Sequence, residues 1–496
     1  KALDVYTAAK FLIEKNPYKD NFHLDIAKKL ILKKFIKKKN IKKIKIFSSD
    51  IKLKIKLEKF LNYNKKYSAS FKLNSLTKFT LSFIKSLLVV FIYIIKNINL
   101  FQIEKKINCN KPLFVSFFSY TSSLEALKGN YVSEYWRGFK ETKDKNWLHL
   151  FDEAPSYKNS NSVRDCIDKI NKKSKKNNHF FLNNYLTFFV SLKFILKALL
   201  LFFQIIIFKF RLKKLKFEMY EILLIDFYVN ELISINCFKN ILLFYQFKNF
   251  FSKNKISSNI FFCMENQPWE KILLYFLKKL KNKYRNYGVI HSSLRFWDLR
   301  MMKLGGENKI KGYQNPDYIL SNSKFATKIL INNGFNIKKI ILTETLRYHD
   351  VKFKYLNNFN KDTKKKVFLI LSDYDDAYND FLKTLILDIS KEKNIFIYLK
   401  CHKLKPLNIT QKNLKIIKNF SQITKKINFA LVSNFTSASL DLHYMGFRPF
   451  VYKKTDSFDY SPLYRFVNYN KFSSSKALKI LTKKYLVRAK EELRII

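Results

Sequence analysis

From residue 315 onward, short apolar runs rich in β-branched and aromatic residues alternate with stretches of helical period. The runs are "YILS" (318–321), "KKIILT" (338–343), "KKVFLILS" (365–372), "NIFIYLK" (394–400), "NFALVS" (428–433) and "RPFVY" (448–452). Between several of them, "SKFATKILINNG" and "DAYNDFLKTLILDISKE" place apolar residues three and four apart. Continuous apolar strands separated by amphipathic helices predict a parallel sheet covered on both faces. A looser version occupies the first half, with strand-like runs at "IKIFSS" (44–49), "PLFVSFFS" (112–119), "NIFFCM" (259–264) and "YGVIHSS" (287–293). Helical segments separate them, and a larger hydrophobic helical insertion is expected over about 160–255. The predicted class is α/β, with two Rossmann-like domains facing across a cleft. An N-terminal domain is expected over 1–310, dividing near Gly305–Gly312 from a C-terminal domain over 311–473. A Ser-capped helix over 474–496 closes the chain.

Two stretches are apolar enough to raise the question of a membrane. "FIKSLLVVFIYIIKNINLF" (83–101) holds ten apolar or small residues between Lys85 and Lys96. "FFVSLKFILKALLLFFQIIIFKFRLKKLKF" (188–217) is longer but carries Lys193, Lys197, Gln204 and Arg211, which return to one helical face. Neither reaches the roughly 18 uninterrupted apolar residues of a spanning helix. A pair of helices packed in or on the first domain is the plain expectation, and an interfacial pair on an anionic leaflet is the alternative.

At 496 residues the chain is too long for one ordinary core. Its formal charge of +57, from 95 Lys and Arg against 38 Asp and Glu, normally points to nucleic acid or an anionic membrane. The cations are mostly Lys mixed with Asn, Ile and Phe throughout, and no nucleic-acid-binding signature accompanies them. They read as solvated faces, and no specific nucleic-acid partner is expected. Cys109, Cys166, Cys237, Cys263 and Cys401 are scattered without a CxxC, as suits a reducing, cytoplasmic setting and no structural zinc.

The candidate chemistry sits where strand-like runs end. "MENQPWEKI" (264–272) places Glu265 between a strand and a helix opening on Pro268, the rim at which open α/β sheets hold ligands. His291 occupies the same position after the next run. The two suit a base and its orienter, or a grip on sugar hydroxyls; a helix-end carboxylate and a capping histidine are the plain alternatives. Trp269, Arg295, Trp297 and Asp298 lie close by in sequence. In the second half, Lys400 and His402 follow one strand, and Ser433, Asn434, Thr436, Ser437 and Ser439 follow another at a helix start. Hydroxyls and free N–H groups there suit a phosphate, with ordinary N-capping as the alternative. Asp373 and Asp375 make only a weak metal pair, and no metal site is expected. Neither GxxxxGK[ST] nor GxGxxG occurs, which sets aside P-loop and dinucleotide readings.

Several runs together carry a family resemblance: "EYWRGFKETKDKNWLHLF", "MENQPWEKILL", "GVIHSSLRFWDLR", "LTETLRYHD", "LILSDYD", "SNFTSASLDLHYMGFRPFVY" and "FDYSPL". Over roughly residues 110–470 the chain resembles bacterial surface carbohydrate biosynthesis proteins of the O-antigen type, which look like GT-B glycosyltransferases. The resemblance implies a nucleotide sugar as co-substrate, with no other cofactor, and a glycan or lipid-linked acceptor. It also implies a cytoplasmic enzyme in peripheral contact with the inner face of the plasma membrane. Glu265 and His291 would be catalytic, and Trp269, Arg295, Trp297, Asp298, Glu344 and Arg347 would line the acceptor side. Lys400, His402 and the Ser/Thr residues would hold a donor similar to the CMP-linked sugars of sialyltransferase-like enzymes. Where those enzymes show His-Pro, His402 is followed by Lys403. A non-catalytic sugar-binding scaffold and a GT-B-like nucleotide-sugar epimerase are the alternatives.

Overall fold

A computed structural model describes residues 67–68, 73–98, 110–133, 135–136, 144–152, 157, 159–174, 177–212, 216–217, 229–256, 258–279, 285–295, 301, 315–343, 366–402, 405–455, 459–465 and 467–492. The expected strand at 44–49, and Trp297, Asp298, Glu344 and Arg347, lie outside these residues. The chain divides into two compact units, and both are parallel α/β layers of the expected class.

Strands β1 (Tyr67–Ser68) and β5 (Lys216–Phe217) form only a two-residue antiparallel pair. The first unit is built on seven strands: β2 (Leu113–Phe117), β3 (Asn146–Leu150), β4 (Asn178–Phe181), β6 (Ile260–Cys263), β7 (Asn286–Val289), β8 (Tyr318–Ser321) and β9 (Ile340–Leu342). Their order is β4-β3-β2-β6-β7-β8-β9, every pair parallel. In-register aromatic side chains stack across one face: Phe114 on Phe261 at 4.9 Å, Phe261 on Tyr287 at 4.8 Å, and Tyr287 on Tyr318 at 5.5 Å. Such ladders add cross-strand attraction to the burial of each ring.

Two expectations about this unit are corrected. β8 and β9 pair into the first sheet, so the first unit runs past the boundary expected near Gly305–Gly312. The range expected as helical insertion, 160–255, also contains β4 and the helix Ser160–Lys173, which packs against it. The inserted helices proper are Phe188–Leu212 and Ile235–Lys253, joined in space by the preceding helix Leu73–Asn97.

The second unit holds β10 (Lys366–Leu371), β11 (Ile395–Lys400), β12 (Leu414–Ile417), β13 (Phe429–Ser433), β14 (Phe450–Tyr452) and β15 (Asn470–Phe472). The order β12-β11-β10-β13-β14-β15 is again wholly parallel. Strand alternation sorts β10 into two cores. Phe368 and Ile370 meet Tyr378, Leu382 and Ile386 of the helix Asp376–Ile389, while Val367 and Leu369 join the cluster that holds Leu442 of the helix Ala438–Tyr444. The Ser-capped C-terminal helix is present as Ser475–Glu492, with Ala477 N–H donating to Ser474 Oγ at 3.2 Å.

Candidate functional site

Two residues beyond β6 and two beyond β7, at paired strand ends, stand Glu265 and His291. The register Cys263↔Val289 brings them side by side, and His291 Nε2 lies 3.2 Å from Glu265 Oε1. The His291 side chain is 2% exposed and that of Glu265 is 25% exposed, so the carboxylate fronts the solvent and the imidazole stands behind it. His291 Nδ1 has no hydrogen-bond partner among the described residues. Tyr135 meets the ring edge-on at 4.5 Å, and Tyr120 packs on Tyr135 at 4.3 Å. Burial first, then the charge of Glu265, pushes the Tyr120 hydroxyl far above its ordinary range and keeps it protonated. Asp152, just past β3, is raised by burial and bonded to Ser119. Four strand ends therefore contribute to one rim.

What fixes Glu265 is its neighbour Glu270. Asn266 takes a left-handed conformation (φ 58°), which Asn tolerates better than most residues. The turn aims three successive N–H groups at the buried Glu270 carboxyl: Glu265 to Oε1 at 2.9 Å, Asn266 to Oε2 at 3.0 Å and Gln267 to Oε1 at 3.0 Å. The role of helix-end carboxylate, one alternative for Glu265, belongs to Glu270. Burial pushes Glu270 up to about 8, against the pull of those donors. Trp269 is buried between Phe117 at 5.6 Å and Phe262 at 6.1 Å, so it shapes the wall from within.

In the second unit the ends of β10, β11 and β13 converge. Ser433 Oγ donates to Asp373 Oδ2 and accepts from Phe435 N–H at 3.0 Å and Thr436 N–H at 3.2 Å. Thr436 Oγ1 accepts from Ala438 N–H at 3.2 Å, and Ser439 Oγ donates to the Thr436 carbonyl at 3.0 Å. Asn434 Oδ1 accepts from Ser461 N–H at 3.0 Å. These groups do the capping work named as the plain alternative. Ser437, at the N-cap of Ala438–Tyr444, makes no side-chain capping bond. His402 N–H donates to Ser372 Oγ at 2.8 Å and its ring meets Tyr374 at 5.9 Å, while the Lys400 amine lies over the Phe420 ring at 5.1 Å. Arg295 belongs to this unit and donates to the Phe435 carbonyl, so it braces the β13 loop. Asp373 accepts from Tyr374 N–H at 2.7 Å and Asp375 caps its helix through Ala377 N–H at 3.2 Å. Asp375 is spent on its own helix, and Asp373 is shared between the N–H of the next residue and the Ser433 hydroxyl.

Sequence reasoning passed over Tyr120, Tyr135, Asp152 and Glu270. The sequence signal for Tyr135 is its place in "EYWRGF", and for Glu270 its place in "NQPWE"; Tyr120 directly follows the strand-like run "PLFVSFFS", and Asp152 follows "NWLHL", whose polar residues break its apolar pattern.

No family model matches the chain, and no curated protein matches it in sequence. Among solved structures it is similar to UDP-N-acetylglucosamine 2-epimerase from Rickettsia bellii, with 13% identity, a TM-score of 0.40, and 76% of this chain and 88% of that one covered. It is similar also to a lipopolysaccharide outer core galactosyltransferase in its apo form, with 9% identity, a TM-score of 0.37, and 75% and 88% covered. A third is the calicheamicin glycosyltransferase, with 8% identity, a TM-score of 0.39, and 77% and 93% covered. The two-unit parallel α/β architecture stands on the strand orders themselves.

Proposed function

We propose that the protein is a glycosyltransferase of cell-surface polysaccharide synthesis, moving a sugar from a nucleotide-activated donor to a glycan or lipid-linked acceptor. The observation that carries this reading is the Glu265–His291 pair at the C-terminal rim of a parallel sheet, with the carboxylate outward and the imidazole buried behind it. In this reading Glu265 takes the proton of the acceptor hydroxyl. His291, donating from Nε2 to Glu265, positions the carboxylate. The acceptor oxygen attacks the anomeric carbon, the bond from that carbon to the donor phosphate breaks, and the nucleotide leaves carrying the electron pair. Arg295, through the Phe435 carbonyl, and Ser437, with its uncommitted hydroxyl, support a nucleotide site at the ends of β10, β11 and β13. A CMP-linked donor is the first choice, on the likeness of Lys400, His402 and the Ser/Thr run to CMP-sugar enzymes. The enzyme works in the cytoplasm, near a membrane that carries its acceptor, and uses the nucleotide sugar as co-substrate without a resident cofactor.

Thermal unfolding against CMP, CDP, UDP, GDP and dTDP tests the donor. A ligand at a hundred times its dissociation constant adds about 2.7 kcal/mol, a clear shift. Stabilisation by one nucleotide, abolished in Ser437→Ala, is expected; no shift with any of the five refutes the nucleotide site. Glu265→Gln should then abolish transfer while leaving the nucleotide shift intact. Interconversion of the nucleotide sugar without acceptor would instead reassign the chemistry to epimerisation.

A further inference from the structure

The helices Leu73–Asn97 and Phe188–Leu212 each carry two apolar stripes, and only one of each is used. The inner stripes, Phe79-Phe83-Val90-Ile94 and Val190-Phe194-Ala198-Leu201-Ile205, advance by three, four or seven residues and are buried. They pack on Ile235–Lys253 and on each other, with Phe83 4.3 Å from Phe202 and 5.5 Å from Phe238. The pairing is antiparallel: Phe79 lies under Lys209 at 4.0 Å, while Tyr93 at the other end bonds Asn183 at 3.1 Å, just before the second helix begins. The outer stripes include Leu81, Ile84, Leu88, Ile92 and Ile95 on one helix and Leu192, Leu196, Leu199, Phe203, Ile207 and Phe210 on the other, all exposed. Of the 29 large hydrophobic side chains exposed among the described residues, 17 lie on these two helices. Monomeric soluble proteins rarely leave a contiguous apolar face of this size open.

We propose that this face is a monotopic membrane-docking surface, in which both helices lie in the plane of an anionic leaflet with their outer stripes among the acyl chains. Charge selects the occupant. Lys209 turns inward over Phe79, and the remaining cations of the two helices, Lys78, Lys85, Lys96, Lys193, Lys197 and Arg211, are exposed or half-buried, with not one Asp or Glu on either helix. A second copy docking by the same face would set these cations against themselves, since a two-fold interface is self-complementary. A layer of anionic headgroups complements them. The mode of insertion follows from the inner side. Contrary to the expectation from their interrupting charges, both helices are long and apolar enough to cross a bilayer by length and composition. Their inner stripes, however, rest on a helix carrying Asn236, Lys239, Asn240, Gln246, Lys248 and Asn249, and that helix packs on Pro268–Lys279 of the α/β unit. Spanning would draw those polar groups into hydrocarbon, at a cost of several kcal/mol for each one left unsatisfied. In-plane docking sinks only the outer face, to about 5–10 Å.

The inference does not depend on the nucleotide-sugar reading, and its test uses the purified full chain with vesicles of phosphatidylglycerol and phosphatidylcholine, and with phosphatidylcholine alone. Co-sedimentation with the anionic vesicles is expected, at least tenfold weaker with the neutral ones. The triple variant Leu88→Glu/Leu196→Glu/Phe203→Glu should lose it by at least tenfold with unchanged circular dichroism, because all three side chains point outward. A variant altered on the second unit, Ile416→Glu, should bind like the wild type. Alkaline carbonate should release the bound protein; retention through carbonate would overturn in-plane docking in favour of a span. A wild-type chain that ignores both vesicles, and whose dimer is dissolved by the triple variant, would overturn the lipid assignment outright.

Discussion

Removing the Glu270 carboxyl should destabilise the first unit more than any other single polar change in its rim. In Glu270→Ala three N–H groups lose their acceptor at once. Asn266 is buried, so its N–H has no water to turn to and costs about 1–3 kcal/mol; those of Glu265 and Gln267 are half-buried and cost about 0.5–1.5 kcal/mol each. The sum is roughly 2–6 kcal/mol. Release of a poorly solvated carboxyl offsets part of it, which leaves about 2–4 kcal/mol. Glu270→Gln is the discriminating control. An amide oxygen at the Oε1 position keeps the bonds from Glu265 and Gln267, whereas its NH2 faces the Asn266 N–H, so about half of the loss is expected. Three of the four tryptophans, Trp136, Trp147 and Trp269, lie in the first unit, so urea unfolding followed by tryptophan fluorescence reports mainly on it. The pH dependence carries a sign. With its folded value raised to about 8, above the ordinary carboxyl near 4.5, Glu270 contributes stability that is complete below pH 4.5. That stability is lost as pH rises through 8. The Gln variant should lack that slope. An alanine variant within about 0.5 kcal/mol of wild type, or a Gln variant as damaged as alanine, would refute this account of the turn.

Four further outcomes are expected. In Gly288→Ala the added Cβ would lie 2.8 Å from Met264 Sδ and 3.0 Å from Pro316 Cγ, so a loss of about 1–3 kcal/mol should appear in the same urea assay. Burial lowers His149 well below its ordinary value and His179 to about 3, and the two rings meet at 2.9 Å between Nε2 and Nδ1. Their contribution is present above the unfolded value near 6.5 and is lost as pH falls towards 3, so His149→Leu/His179→Leu should flatten the acid limb of unfolding. Ser433→Ala should cost about 1–3 kcal/mol, since its hydroxyl serves two N–H groups and Asp373; Ser437→Ala should leave stability unchanged within about 0.5 kcal/mol while weakening nucleotide binding.

How far the sequence could be read depended on where polar residues were buried. Strands such as "KVFLIL" and "FALVS" are buried on both faces and so announce themselves as apolar runs. β3, "NWLHL", is equally buried, but Asn146 and His149 interrupt its apolar pattern, and the contacts that make them tolerable, Asn178 Nδ2 donating to Asn146 Oδ1 and the His149–His179 pair, join residues 32 and 30 apart. β12, "LKII", is an edge strand with half its residues exposed, and short edge runs carry little apolar signal. The boundary expected near Gly305–Gly312 is misplaced for a related reason: the pairing of β8 with β7 that keeps the first sheet going is a long-range fact.

The rim was legible in one respect and hidden in another. Glu265 and His291 each stand two residues past an apolar run, and adjacent parallel strands in register must set such residues side by side. That much follows from the sequence once the pairing is granted. The division of labour does not follow. It depends on the left-handed Asn266, which turns three N–H groups towards Glu270 and leaves Glu265 without that duty. Glu265 is instead a quarter exposed, with the buried His291 imidazole at Oε1 and the Gln267 amide donating to Oε2 at 3.4 Å, whereas Glu270 is engaged by three backbone donors. The same distinction sorts the second unit, where Ser433, Thr436 and Ser439 are committed to backbone and Ser437 is not. Residue type and spacing pointed to the strand ends at which these loops lie, and the hydrogen bonds then distinguish Glu270, Ser433, Thr436 and Ser439, which build the loops, from Ser437, which makes no capping bond.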